Sequence, residues 1–205
     1  MPAHLTSLLF LLTMSFGVCA QSIDSLSARF RKIADYRTIR ADFIQTRFLS
    51  ELEMKIEIRG EMISEKNGRL RWLVRSPVKS ISLIGADELK HWDGETGKLA
   101  VIQQSRFPWL AVLRDCMNDW LSGDPERLRT GFELQVKDAH TLRLLPKAAQ
   151  LKTIFKAVEI RADAKFDAIE TITIEETSGD RLEIRFVSVR KNPVLTEKIW
   201  RLPPE

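Results

Sequence analysis

Long stretches of this chain alternate in polarity. Met54, Ile56 and Ile58 are separated by Lys55, Glu57 and Arg59, so an extended backbone here has one apolar face and one wet face. Leu70, Trp72 and Val74 repeat the pattern against Arg69, Arg71 and Arg75. A period of two from Ile39 to Ile102, resumed at Phe132, commits the chain to half-buried strands. Asn67-Gly68 stands between two such runs, and both loop positions of a type I′ hairpin need positive φ. Further strands are expected at Ser80–Ile84, Leu89–Trp92, Lys98–Gln103, Phe132–Val136, Thr141–Leu145, Ile154–Arg161, Ile169–Glu175 and Leu182–Arg190. Their links are short, which makes neighbours antiparallel.

Two segments break the alternation. Ile23, Leu26, Phe30 and Ile33 recur at spacings of three and four, predicting an amphipathic helix over Ser22–Ala34. Trp109, Leu113, Met117 and Trp120 mark a second, over Trp109–Leu121. Gly123 then supplies a stop, Asp124 an N-cap and Pro125 a first helical position for a short third helix. Helix, strands, helix, strands, without repeat or linker, reads as one domain over 21–205.

The first twenty residues differ in kind. Leu5 to Val18 is almost wholly apolar, and 1–20 lacks Lys, Arg, Asp and Glu. Val18-Cys19-Ala20 places small residues before Gln21, the pattern of a secretory signal peptide cut after Ala20. Cys19 also admits a lipidation reading, which Phe16-Gly17-Val18 fits poorly. The remaining chain keeps one cysteine, Cys116, so no internal disulfide can form after export. A net charge of +4, spread without a run of like charges, argues against nucleic-acid binding.

Chemistry is sparse. His91 and His140 are the histidines outside the first twenty residues, and no His/Cys spacing suits a metal. No phosphate-binding glycine loop and no nucleophile elbow occur. The reading is therefore of a non-enzyme without cofactor or metal. A lipid hydrolase would require a nucleophile beside His91 or His140.

Several short motifs fall in a telling order: Phe43-x-Gln45-x-Arg47, Gly60, Arg71-Trp72, Pro77, Leu121-Ser122-Gly123-Asp124, Gly179-Asp180, Phe186, Asn192-Pro193 and Pro203-Pro204. In that order the chain resembles the LolA-like outer-membrane lipoprotein carrier proteins of the periplasm. The resemblance implies a curved antiparallel sheet, an unclosed β-barrel, with helices covering its concave apolar side. It implies a monomer that shelters acyl chains between an inner-membrane donor complex and an outer-membrane receiver. Acylated lipoprotein or another lipid would be the cargo. A glycolipid or other lipidic export product is the alternative, as is a non-transporting periplasmic sensor or scaffold. On strand parity the lining would be Ile56, Ile58, Leu70, Trp72 and Val74. The lid would be Leu26, Phe30, Ile33, Leu113 and Met117. The resemblance also puts Lys66 where the family has an arginine that latches the lid.

Overall fold

The computed structural model describes residues 22–66, 68–106 and 108–202, and for 108–113 the backbone alone. The segment read as a signal peptide, Asn67 of the hairpin turn, Pro203-Pro204 and the side chain of Leu113 fall outside the described residues.

Among the described residues eleven strands form one antiparallel sheet: β1 Thr38–Leu49, β2 Met54–Glu65, β3 Leu70–Ser76, β4 Ser80–Ile84, β5 Glu88–Asp93, β6 Leu99–Gln103, β7 Phe132–Asp138, β8 Thr141–Pro146, β9 Phe155–Ala162, β10 Ile169–Glu176 and β11 Arg181–Lys191. The spatial order is β6-β5-β4-β3-β2-β1-β11-β10-β9-β8-β7. In this order β1 and β11 are the neighbours distant in sequence; the other neighbours are consecutive strands. The ends, β6 and β7, do not pair, so the sheet curves without closing.

Alternation sets the register. Through β1–β3 the same-face row runs Ala41–Met62–Trp72, and the next runs Phe43–Gly60–Val74. Gly60 has a plain steric reason: a Cβ there would lie 2.0 Å from the Leu73 carbonyl and 2.6 Å from the Phe43 ring. That ring stacks on Trp72 at 4.0 Å between centroids. The outer face is laced with ion pairs. Glu61 is buried there, 2.8 Å from both Arg40 and Arg75 and 3.5 Å from Arg71.

The motif residues at the turns tie distant strands together. Asp180 accepts from the Ser50 N–H at 3.0 Å and pairs with Arg47 at 3.2 Å, joining the ends of two hairpins. Asn192, at φ 52°, accepts from the Arg37 N–H at 2.7 Å and fixes the entry to β1. A short side-chain amide at positive φ can do this where most residues cannot.

Four α-helices accompany the sheet among the described residues: α1 Ile23–Phe30, α2 Pro108–Ser122, α3 Pro125–Gly131 and α4 Ala149–Lys152. Ser22 caps α1 and Asp124 caps α3, each through a side-chain oxygen accepting a backbone N–H. α1 ends at Phe30, a turn earlier than its apolar spacing suggests, and Ile33 continues as a turn residue. Gly123, at φ 60°, closes α2; a Cβ there would sit 3.0 Å from Ile169 Cδ1. α4 carries no apolar period of its own, and sequence reasoning does not find it. One buried leucine, Leu151, holds it to the core.

Candidate functional site

The concave face and α2 do not meet everywhere. Between them lies a cavity of about 370 Å³, partly open to solvent. One wall comes from β3–β5 through Trp72, Ser82, Ile84 and Leu89. The opposite wall comes from β10 and β11 through Ile172, Ile174, Leu182, Ile184 and Phe186. Gln45 lies on the floor between them; Met117, Trp120 and Leu121 of α2 form the roof, with Gln104 and Arg114 at its side. The lining is overwhelmingly apolar, the composition of a site for an apolar ligand.

The residues singled out on parity divide into three groups. Trp72 and Met117 line the cavity. Leu26, Phe30, Ile33 and Leu70 are fully buried in the packed core. Ile58 and Val74 pack against that core, and Ile56 is half-buried on the same face farther along β2. The α1 residues fill one end of the fold: Phe30 meets Phe166 edge-on at 5.5 Å, and Arg29 lies 3.8 Å over the Phe166 ring. Among the cavity-lining residues none comes from α1, so α2 is the roof and α1 a plug.

Lys66 reaches a helix end. Its Nζ donates to the Ala34 carbonyl at 2.6 Å, just past α1. Lys191 Nζ donates to the Ile33 carbonyl at 3.0 Å, so two lysines cap the same turn. Cations there also oppose the negative end of the helix dipole.

The roof has a different clasp, which periodicity does not disclose. Arg114 Nη1 donates to the Ala86 carbonyl at 2.8 Å, to Gln104 Oε1 at 3.0 Å and to the Gly85 carbonyl at 3.3 Å. Gln104 is buried, and its Nε2 donates to the Gly85 carbonyl at 2.9 Å. This network joins α2 to the β4–β5 turn across the side of the cavity. The remaining edge of Arg114 faces Asp115 at 2.8 Å. On the far side Trp120 and Leu121 anchor α2 in the core, Trp120 packing edge-on against Phe155 at 5.6 Å. Cys116 is buried beside them, and desolvation above all pushes its thiol up to about 12, with Asp119 and Asp115 adding to the rise. It is an inert packing group at neutral pH.

One contact bears on the hydrolase reading. Ser82 Oγ lies 2.9 Å from His91 Nδ1, across β4 and β5, with Ser82 on the cavity wall. A nucleophile therefore does stand beside His91. Among the described residues nothing orients the other imidazole nitrogen. Ser82 is mid-strand, paired with Trp72 and His91 on its two sides, so no turn of free N–H groups faces its hydroxyl. The pair is thus a cross-strand hydrogen bond. The wild type and Ser82→Ala are expected to hydrolyse p-nitrophenyl laurate at the same background rate. A rate at least tenfold higher in the wild type would restore the hydrolase. Among the described residues no cluster of His, Cys, Asp and Glu is suited to a metal ion.

An unclosed antiparallel sheet, an apolar hollow on its concave side and a helix roofing that hollow define the class. The chain belongs to the family described as outer membrane lipoprotein carrier protein LolA, whose sequence model matches residues 34–202. It is 23% identical over 199 residues to the outer-membrane lipoprotein carrier protein of Coxiella burnetii, covering 96% of this chain and 90% of that one. The protein of the same name from Legionella pneumophila is 25% identical over 202 residues, covering 96% and 93%. Among solved structures, an uncharacterised conserved protein from Thermus thermophilus shares the fold, with a TM-score of 0.53 and 11% identity over 90% of this chain and 96% of that one.

Proposed function

We propose that this protein is a periplasmic carrier that holds an acyl chain of a lipoprotein, or of another lipid, in the cavity under α2 during transfer from the inner to the outer membrane. Residues 1–20 are then the export signal, and 21–205 the carrier domain. The observation that carries the reading is the cavity itself, unfilled space walled by isoleucine, leucine and aromatic side chains from both arms of one sheet. A concave, mostly apolar cleft with a few convergent polar groups is the usual form of a small-molecule site.

The energetics suit the task. Carrying an acyl chain of about sixteen carbons through water exposes methylenes at roughly 0.8 kcal/mol each, on the order of 12 kcal/mol in all. At about 370 Å³ the hollow lies near the lower end of the roughly 300–1,000 Å³ typical of small-molecule sites. It suits one chain, and a cargo with more requires the roof to lift. In this reading α2 pivots about its anchored Trp120–Gly123 end and is held shut at Arg114. Closure over an empty cavity competes with cargo, so a receiver can draw the lipid out without chemical energy.

Protein purified gently from periplasm is expected to carry a lipid or acylated protein, detected by native mass spectrometry and by lipid extraction. Ligand-free protein that also fails to take up a fluorescent acyl probe would overturn the reading.

A further inference from the structure

Among the described residues, the polar groups of the lining without a hydrogen bond in the protein are the indole N–H groups of Trp72 and Trp120, the latter buried, and the amide of Gln45. Gln104 and Arg114 spend their polar atoms on each other and on the Gly85 and Ala86 carbonyls. Ser82 is paired with His91. Gln45 is the side-chain amide left among them. It lies on β1 opposite Ile58 on one side and Ile184 on the other, facing the cavity floor. Among the described residues its amide makes no hydrogen bond. An apolar side chain at this register position would continue the Ile58–Gln45–Ile184 row and pack better. Water can reach the amide while the cavity is open, but a chain that displaces that water leaves the amide unmet unless the chain brings a partner.

We propose that Gln45 binds the carbonyl linkage at the head of an acyl chain. This rests on the carrier reading and deepens it. The ligand class is an acyl ester or an N-acyl amide, seated with its tail along Ile172, Ile174 and Leu182 and its carbonyl at Gln45. The side-chain NH₂ donates to the carbonyl oxygen of either linkage, and the side-chain oxygen can also accept from the N–H of an amide. A bare hydrocarbon leaves both groups unmet. Gln45 is thus a specificity residue: the cavity's apolar area supplies most of the affinity, and Gln45 selects chains that carry a linkage and sets how deep they sit.

The test compares displacement of a fluorescent naphthylamine probe by methyl laurate, by N-methyl lauramide and by tetradecane. The proteins are the wild type, Gln45→Met (matched in length) and Gln45→Leu. Both variants are expected to bind tetradecane at least as well as the wild type does, which also shows that they fold and keep the cavity. The affinity ratio of ester to alkane should fall roughly three- to tenfold in the variants. The ratio of amide to alkane should fall by that factor or more, because the amide adds a donor. Ratios unchanged in both variants overturn the role of Gln45 while the carrier reading stands. If none of the three ligands displaces the probe from the wild type, the carrier reading fails and this proposal with it.

Discussion

Trp72→Glu is expected to weaken acyl-probe binding by at least about 100-fold while the protein remains folded. Trp72 lines the cavity, stacks on Phe43 at 4.0 Å and is only partly buried, so a substitution there changes the cavity surface without emptying the core. A carboxylate there must either lose its water when a chain enters or keep the chain out. Burying one unpaired ion costs several kcal/mol, and about 3 kcal/mol already exceeds a hundredfold in affinity. The same environment raises the pKa of the introduced carboxyl, so binding should recover in part as pH falls toward about 5. Equilibrium titration at about pH 7.5 and about pH 5 checks both parts, with circular dichroism as the control for folding. Wild-type affinity at the higher pH would remove Trp72 from the binding surface. Leu70→Glu is not an equivalent test. Leu70 shares the face of Trp72 but is fully buried, so its loss reports on stability instead.

Arg114→Ala is expected to speed release of a bound acyl probe by roughly 30-fold or more. The guanidinium joins α2 to the Gly85 and Ala86 carbonyls and to Gln104, with Arg114 and Gln104 both lining the hollow. Hydrogen bonds from a charged group contribute about 1.5–3 kcal/mol, so losing this clasp should disfavour the closed roof by about 2–3 kcal/mol. That shift corresponds to roughly 30- to 150-fold in the open population. Arg114→Lys should fall between, because lysine keeps the charge but presents a single ammonium in place of a planar fork. Stopped-flow dilution of probe-loaded protein gives the rates. Equal release from wild type and Arg114→Ala would mean that α2 is not held shut at this point. Lys66 makes an instructive contrast, since its ammonium binds the turn after α1, away from the cavity lining. Lys66→Ala should therefore destabilise the α1 turn with little effect on probe release.

Much of the architecture was legible in the sequence because local chemistry dictates it. Alternation assigned Leu70, Trp72 and Val74 to one face, and cross-strand pairing puts them there. Gly123, Asp124 and Pro125 announced the end of one helix and the start of the next through backbone conformations and hydrogen bonds that few other residues supply. The order of motifs pointed to the family, and the geometry explains several of them: Gly60 leaves room for the Phe43 ring, Asp180 ties Ser50 and Arg47, and Asn192 holds the entry to β1.

The cavity was not legible in that way. Parity states which face a side chain takes, and every concave side chain in these strands obeys the same period. Whether Leu70 ends inside a packed core and Trp72 beside empty space depends on how far the roof stands from each point of a curved sheet. That distance is set by α2, whose position depends on Trp120, Gly123 and Arg114 meeting residues that lie far away in the sequence. Gln45 shows the same division: the chain places an amide on an apolar row, and only the folded sheet leaves that amide facing a hollow with nothing of its own to bond.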